Sequence, residues 1–155
     1  TTNLIGNGFL ALHQQPQQLR MLRDDPSLAD SAIEELLRFD APVQLTSRVA
    51  LEDVTIGERA VRAGDFIVLS LAGANRDPAQ FPDPDRIDIT REENRHLSLS
   101  LGNHYCLGSP LARLEARTAI MSLLDRFPET SLVDAEPQWR EMVTLRGLTT
   151  LPVVV

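Results

Sequence analysis

Cys106 is the only cysteine among 155 residues, and His104 stands two places before it with Gly102 and Gly108 on either side. A thiol can serve as nucleophile, redox group or soft metal ligand, and each role needs the thiolate. Leu107, Leu111, Leu114, Met121 and Leu124 keep helical spacing as far as Phe127-Pro128, so a helix is expected to start just after Cys106, with Pro110 tolerated near its beginning. The positive end of that helix and its unpaired N–H groups would favour thiolate over thiol. Glycines at 102 and 108 would let a flat ligand or the sulfur itself approach the backbone closely. Taken alone, Cys106 reads first as a small buried hydrophobe, as most lone cysteines are. A zinc site from Cys106, His104 and His96 would need another ligand and lacks paired-cysteine spacing.

Charged residues form a second group. Glu35 and Arg38 lie three residues apart on a helical stretch, where they can pair, although a solvated surface pair has the same spacing. Arg48 falls in an apolar, strand-like stretch and by itself reads as an exposed strand residue. Arg91 follows Asp88-Ile89-Thr90, fifteen residues ahead of Cys106. His13 precedes a turn and has no partner evident in sequence.

The elements that must position these groups can be drawn from periodicity. A helix is expected over 2 to 13, where Leu4, Ile5, Gly8, Phe9 and Leu12 share a stripe, and Pro16 disfavours helix at Gln15. A short helix over 17 to 23 is followed by Asp25-Pro26-Ser27, a capping signal before a stronger helix over 28 to 39 that Asp40-Ala41-Pro42 ends. Between 48 and 71, Val49, Leu51, Val54, Ile56, Val61 and Phe66 to Leu69, punctuated by Gly57 and Gly64, predict a small antiparallel sheet. Residues 74 to 95 carry too little periodicity for regular structure, and a long ordered loop is usually functional. Short strands are expected near 131 to 133, 142 to 145 and 151 to 155.

Hydrophobic content of 43% and charged content of 24% describe an ordinary globular chain and exclude collagen-like and largely disordered classes. With 15 basic and 22 acidic residues the net charge is −7, which argues against a nonspecific nucleic-acid partner. No apolar run approaches the ~20 residues of a membrane span. One cysteine cannot form an internal disulfide, so nothing points to an oxidising compartment and a cytoplasmic setting is expected. The first residues have neither an initiating Met nor a basic leader, so the chain reads as a fragment that begins mid-helix.

The stretch from Gly102 to Arg113 reads Gly-x-His-x-Cys-x-Gly-x-x-Leu-Ala-Arg, and it resembles the heme-binding loop of the cytochrome P450 superfamily. The resemblance implies an α+β fold, mainly helical with small antiparallel sheets, and heme b (iron protoporphyrin IX) as cofactor. It implies that Cys106 is the proximal thiolate ligand of the iron, with Leu99 and Gly108 packing near the sulfur. His104 matches a propionate-binding position, Arg48 an arginine that pairs a propionate, and His96 a position beside the propionates, though a satisfied loop histidine fits His96 equally. Glu34-Glu35-Leu36-Leu37-Arg38 resembles the Glu-x-x-Arg motif, with Arg91 as third member of a buried charge cluster that fixes the cysteine loop. Arg113 matches a surface position where redox partners dock. Leu99-Ser100 replaces the family's usual Phe-Gly, and Ser100 is expected either to strain the bulge there or to offer an extra hydroxyl near the ligand loop.

Asn3-Leu4-Ile5-Gly6 matches a stretch of the long distal helix that follows an acid-alcohol pair, which places that pair before residue 1. The chain would then be the C-terminal part of one P450 domain, about the final two fifths, needing the remaining part of the protein for activity. The implied reaction inserts one oxygen atom from dioxygen into a mostly apolar small organic substrate, with a ferredoxin- or flavodoxin-type electron donor. Val43, Gln44, Leu45 and Leu148 match substrate-facing positions. A peroxide-driven variant and a noncatalytic heme-binding scaffold remain alternatives.

Overall fold

The computed structural model describes residues 1–133 and 136–155. Its helical layer comprises α1 (Thr2–His13), α2 (Pro16–Asp24), a 3-10 turn at Pro26–Leu28 and α3 (Ala29–Phe39). Pro16 takes the first position of α2, where its missing N–H costs nothing. The expected cap at Asp25 is present: its carboxylate accepts from the Ser27 N–H at 3.0 Å and so closes the 3-10 turn that leads into α3.

Two strand pairs follow, β1 (Leu45–Val49) with β2 (Val54–Ile56), β3 (Arg59–Val61) and β4 (Phe66–Ser70). β1 pairs antiparallel with β4, and β2 with β3 around Gly57 at φ +59°. The single small sheet expected from 48 to 71 is therefore two separate ribbons, and the first begins earlier, at Leu45. A one-turn helix, α4 (Leu71–Ala74), takes the first residue of the loop expected over 74 to 95; residues 75 to 101 lack helix and strand. Phe81, Ile87 and Ile89 are the buried pegs that hold this loop down.

A 3-10 turn at Gly102–His104 precedes α5 (Ser109–Arg126), which has Pro110 in its first turn. In the tail, β5 (Ser131–Leu132) pairs with β6 (Val153–Val154). The strand expected near 142 to 145 does not form, and only an isolated bridge joins Leu145 to Val43. The two segments meet only around that bridge, and from Leu45 onward the partner segment runs in β1, paired with β4. Arg146 N–H donates to the Pro42 carbonyl, and Gln44 N–H to Thr144.

The core lies where α1, α2, α3 and α5 meet, around Leu4, Leu12, Leu22, Leu36, Ile87, Ile89 and Ile120. Each such side chain contributes about 1.5–3 kcal/mol on burial. Gly8 sets the crossing of α1 over the other two helices: a Cβ there would lie 2.9 Å from Leu36 Cδ1 and 3.4 Å from Ile120 Cδ1. Among the described residues no helix is long and apolar enough to cross a membrane.

Candidate cofactor site

Cys106 sits at the close of a tight loop. Ser100 N–H donates to Leu97 O at 2.8 Å, Cys106 N–H to Leu99 O at 2.9 Å and Tyr105 N–H to Gly102 O at 3.0 Å. Two residues turn with positive φ, Gly102 at +64° and Ser100 at +62°. The second is a side chain in a region glycine prefers, which is the strain its sequence position implied. Ser109 N–H then donates to Cys106 O at 3.1 Å and α5 begins, so the half-buried thiol lies just ahead of the helix's positive end.

The thiol opens on a cavity of about 590 Å³, within the range that small-molecule and cofactor sites occupy. Leu4, Leu37, Leu71 and Leu99 form apolar walls, and Arg48 and His104 also line it. Arg48 Nη1 donates to Ser47 O at 2.7 Å and, more weakly, to Thr46 Oγ1 at 3.3 Å. Among the described residues neither Arg48 nor His104 has a carboxylate partner, so both keep donor capacity for an anion. Gly108 leaves the sulfur uncrowded, since even a Cβ there would stay 3.9 Å from Sγ. A thiol, greasy walls and the N–H donors of an arginine and a histidine fit a flat, mostly apolar macrocycle that carries carboxylates.

Beneath this cavity lies a buried charge cluster. Arg38 grips Glu35 through Nε at 2.7 Å and Nη2 at 2.8 Å, and both side chains are fully buried. The rest of the Arg38 fork donates to the carbonyls of Asn75, Pro84 and Arg86. Glu35 also accepts from Asp88 N–H at 2.9 Å and Asn94 Nδ2 at 3.0 Å, while Arg91 Nε approaches to 3.3 Å. The Arg91 fork bonds to Pro82 O instead, and its Nε makes ion-pair contact without hydrogen-bond alignment. Nearly every lone pair and N–H of the buried pair is thus spent on the loop that runs up to the cysteine. Asn75 carries the connection on: it accepts from Leu97 N–H at 2.7 Å and donates to Ser98 Oγ at 2.7 Å.

The cytochrome P450 family model matches residues 12–152. The chain belongs to the cytochrome P450 family. It is 50% identical to the biotin biosynthesis cytochrome P450 of Bacillus subtilis (strain 168), over 99% of this chain and 39% of that protein. It is 48% identical to the vitamin D(3) 25-hydroxylase of Pseudonocardia autotrophica, over 100% of this chain and 39% of the relative. The crystal structure of P450BioI in complex with acyl carrier protein ligated to hexadec-9Z-enoic acid superposes with a TM-score of 0.95 at 50% identity, covering 97% of this chain and 39% of that one. The chain spans about two fifths of the length of the relatives it matches. The α+β P450 fold, mainly helical with small antiparallel sheets, is the fold of this chain.

In this P450 chain Cys106, Leu99, Gly108, His104, Arg48 and Val43 all line one cavity. His96 does not: its side chain is almost fully buried and faces Glu34, at 3.1 Å, and Ser98 N–H donates to its Nδ1 at 3.2 Å. Arg113 is no free surface cation, because its fork holds Glu34 at 2.6 and 2.8 Å and Nη1 donates to Tyr105 Oη at 2.9 Å. Gln44, Leu45 and Leu148 also lie outside the lining of the cavity. The Gln44 amide turns back to the Ala41 carbonyl and lines another recess beside Asp40 and Arg146. Leu148 packs against α1, near Gly6. Strand period separates Leu45 from its neighbour: with Arg48 facing the cavity, Thr46 shares its side of β1 and Leu45 does not. Thr46 does line the cavity.

Burial would raise the Glu34 carboxyl, but hydrogen bonds from Arg113 and His96 outweigh it and bring it from 4.5 down to about 2. Arg113 is shifted up in turn by its bonds to Glu34 and Tyr105. Asp40 behaves oppositely: burial raises it above its ordinary value in spite of the Arg146 contact at 2.6 Å. Glu34, Asn75 and Ser98 had no motif to mark them, since their importance rests on partners far away in the chain.

Proposed function

We propose that this chain is the heme-proximal, C-terminal part of a single-domain heme-thiolate monooxygenase that works in the cytoplasm. The observation that carries this reading is one apolar cavity shared by the Cys106 thiol, Arg48 and His104. Cys106 would hold the iron of heme b, Arg48 and His104 its propionates, and Leu99 would keep water from the sulfur. Bound heme supplies the binding and activation of dioxygen. The residues of this chain position and shield: Leu4, Leu37 and Leu71 exclude water, and the Glu35, Arg38 and Arg91 cluster holds the loop that presents the thiolate. Val43, in the wall, would touch a mostly apolar small organic substrate, which is hydroxylated or epoxidised. Electrons would come from a ferredoxin- or flavodoxin-type donor near α5. One relative is a vitamin D(3) 25-hydroxylase, which supports an oxygen-inserting role.

Reducing the full-length protein and adding carbon monoxide tests the ligand. The expected Soret band lies far to the red of a histidine- or thiol-ligated complex and is lost in Cys106→Ser. A wild-type protein without that band, or a Cys106→Ser variant that keeps it, overturns the proposal. Heme uptake with the band at shorter wavelength in the wild type would favour the noncatalytic scaffold.

A further inference from the structure

Glu34 and Glu35 are neighbours on α3 and so point about 100° apart. Glu35 faces the 75–94 loop, whereas Glu34 faces the segment that contains the cysteine. One Glu34 carboxylate receives His96, ten residues before Cys106, and the two-pronged fork of Arg113, seven residues after it. The same guanidinium donates to the hydroxyl of Tyr105, the residue next to the cysteine. Both shoulders of the cysteine loop are therefore tied to a single anion on a buried helix.

The His96 ring adds direction to this tie. Ser98 N–H donates to Nδ1, so in the neutral ring the proton resides on Nε2 and is donated to Glu34. Ser98 is pinned further through Oγ, which donates to Leu37 O at 2.6 Å and accepts from Asn75. Ser98 lines the cavity, and the next residue, Leu99, accepts the Cys106 N–H. The path from Glu34 to Cys106 thus runs through two hydrogen bonds in series, the covalent link from Ser98 to Leu99, and a third hydrogen bond.

We infer that Glu34, with His96 and Arg113 as its two ligands, is a positioning residue that sets where Cys106 Sγ stands beneath the cavity. This rests on the reading of Cys106 as the heme ligand. It reassigns His96 and Arg113 from cofactor and partner contacts to the geometry of the thiolate. Glu34 is distinct in this from Glu35: the latter secures the loop before the cysteine loop, and Glu34 closes the cysteine loop itself.

The test uses the full-length protein with Glu34→Gln, His96→Asn and His96→Gln. His96→Asn keeps an acceptor where Nδ1 was and loses the donor to Glu34; His96→Gln keeps a donor toward Glu34 and loses the acceptor for Ser98. Two readouts apply: the fraction of the ferrous carbon monoxide complex that is thiolate-ligated, and the rate of alkylation at Cys106 by iodoacetamide, located by peptide mass. Glu34→Gln is expected to lower the thiolate-ligated fraction and to speed alkylation about five- to thirty-fold, as loss of one to two kcal/mol of local stability would. Each His96 variant should show part of both effects, and adding His96→Asn to Glu34→Gln should change little, because both remove one tie. If Glu34→Gln keeps the wild-type band and alkylation rate, even with a lowered urea midpoint, the carboxylate is only structural and the inference falls. Should Glu34→Gln not fold, Arg113→Lys keeps the charge but loses the fork, and wild-type values for both readouts would likewise overturn it. A wild type without the red-shifted band defeats the heme-thiolate reading instead, and the alkylation ratio alone then decides the role of Glu34.

Discussion

Ser100 holds φ at +62°, and the left-handed region costs an L-residue with a Cβ roughly 1–2 kcal/mol. Its N–H bond to Leu97 O is a backbone bond that survives any substitution except proline, and its hydroxyl has no partner among the described residues. Ser100→Gly therefore removes strain without removing a hydrogen bond. Against this, glycine loses about 0.4–1 kcal/mol more chain entropy on folding. The balance is a stabilisation of about 0.5–1 kcal/mol, a two- to five-fold gain in the folding constant. Urea unfolding of the full-length protein would show it as a higher midpoint at unchanged slope. Ser100→Ala is the control: it retains the Cβ, so its midpoint should stay with wild type. A Ser100→Gly midpoint equal to or below wild type, or an equal gain from alanine, would refute the argument that backbone strain resides at this position.

Glu35→Ala would leave the Arg38 guanidinium charged, buried and without its carboxylate, at a cost of about 3–5 kcal/mol; the expected result is a collapse of soluble yield. Glu34 is depressed from 4.5 to about 2 in the fold, so its contribution is complete above pH 4.5 and is lost as pH falls from there toward 2. For a group part-screened by solvent that contribution is about 1–2 kcal/mol, and the urea midpoints of wild type and Glu34→Gln should converge across that window and differ by a constant amount above it. A Cβ on Gly147 would overlap the Asn3 side chain. Gly147→Ala should destabilise by about 1–3 kcal/mol, and Asn3→Ala in the same chain should recover most of it, as measured by a double-mutant cycle.

Helices α1, α2, α3 and α5 were legible in the sequence because their apolar stripes and punctuating residues, Pro16, Asp25, Pro42 and Pro128, are local signals. The cysteine at the start of α5 was legible for the same reason, and the long spacing from Gly102 to Arg113 was specific enough to name the family. Glu35 and Arg38 were visible as a pair three residues apart. Only the tertiary structure decided which way other side chains faced. His96 was open between the cofactor and a satisfied loop histidine, and Arg113 was read as a partner-docking position; both close on Glu34, a carboxylate more than sixty residues away whose bonds no local pattern records. Leu45 and Thr46 differ by one step of strand period, and the register of β1 against β4 chose Thr46 for the cavity wall. The tail strand expected near 142 to 145 is reduced to a bridge with Val43, whose chain from Leu45 onward pairs with β4. Periodicity fixes what a segment can become, because it depends on neighbours within a turn or two of the chain; orientation toward a site depends on partners brought close by packing, and those exist only once the core has formed.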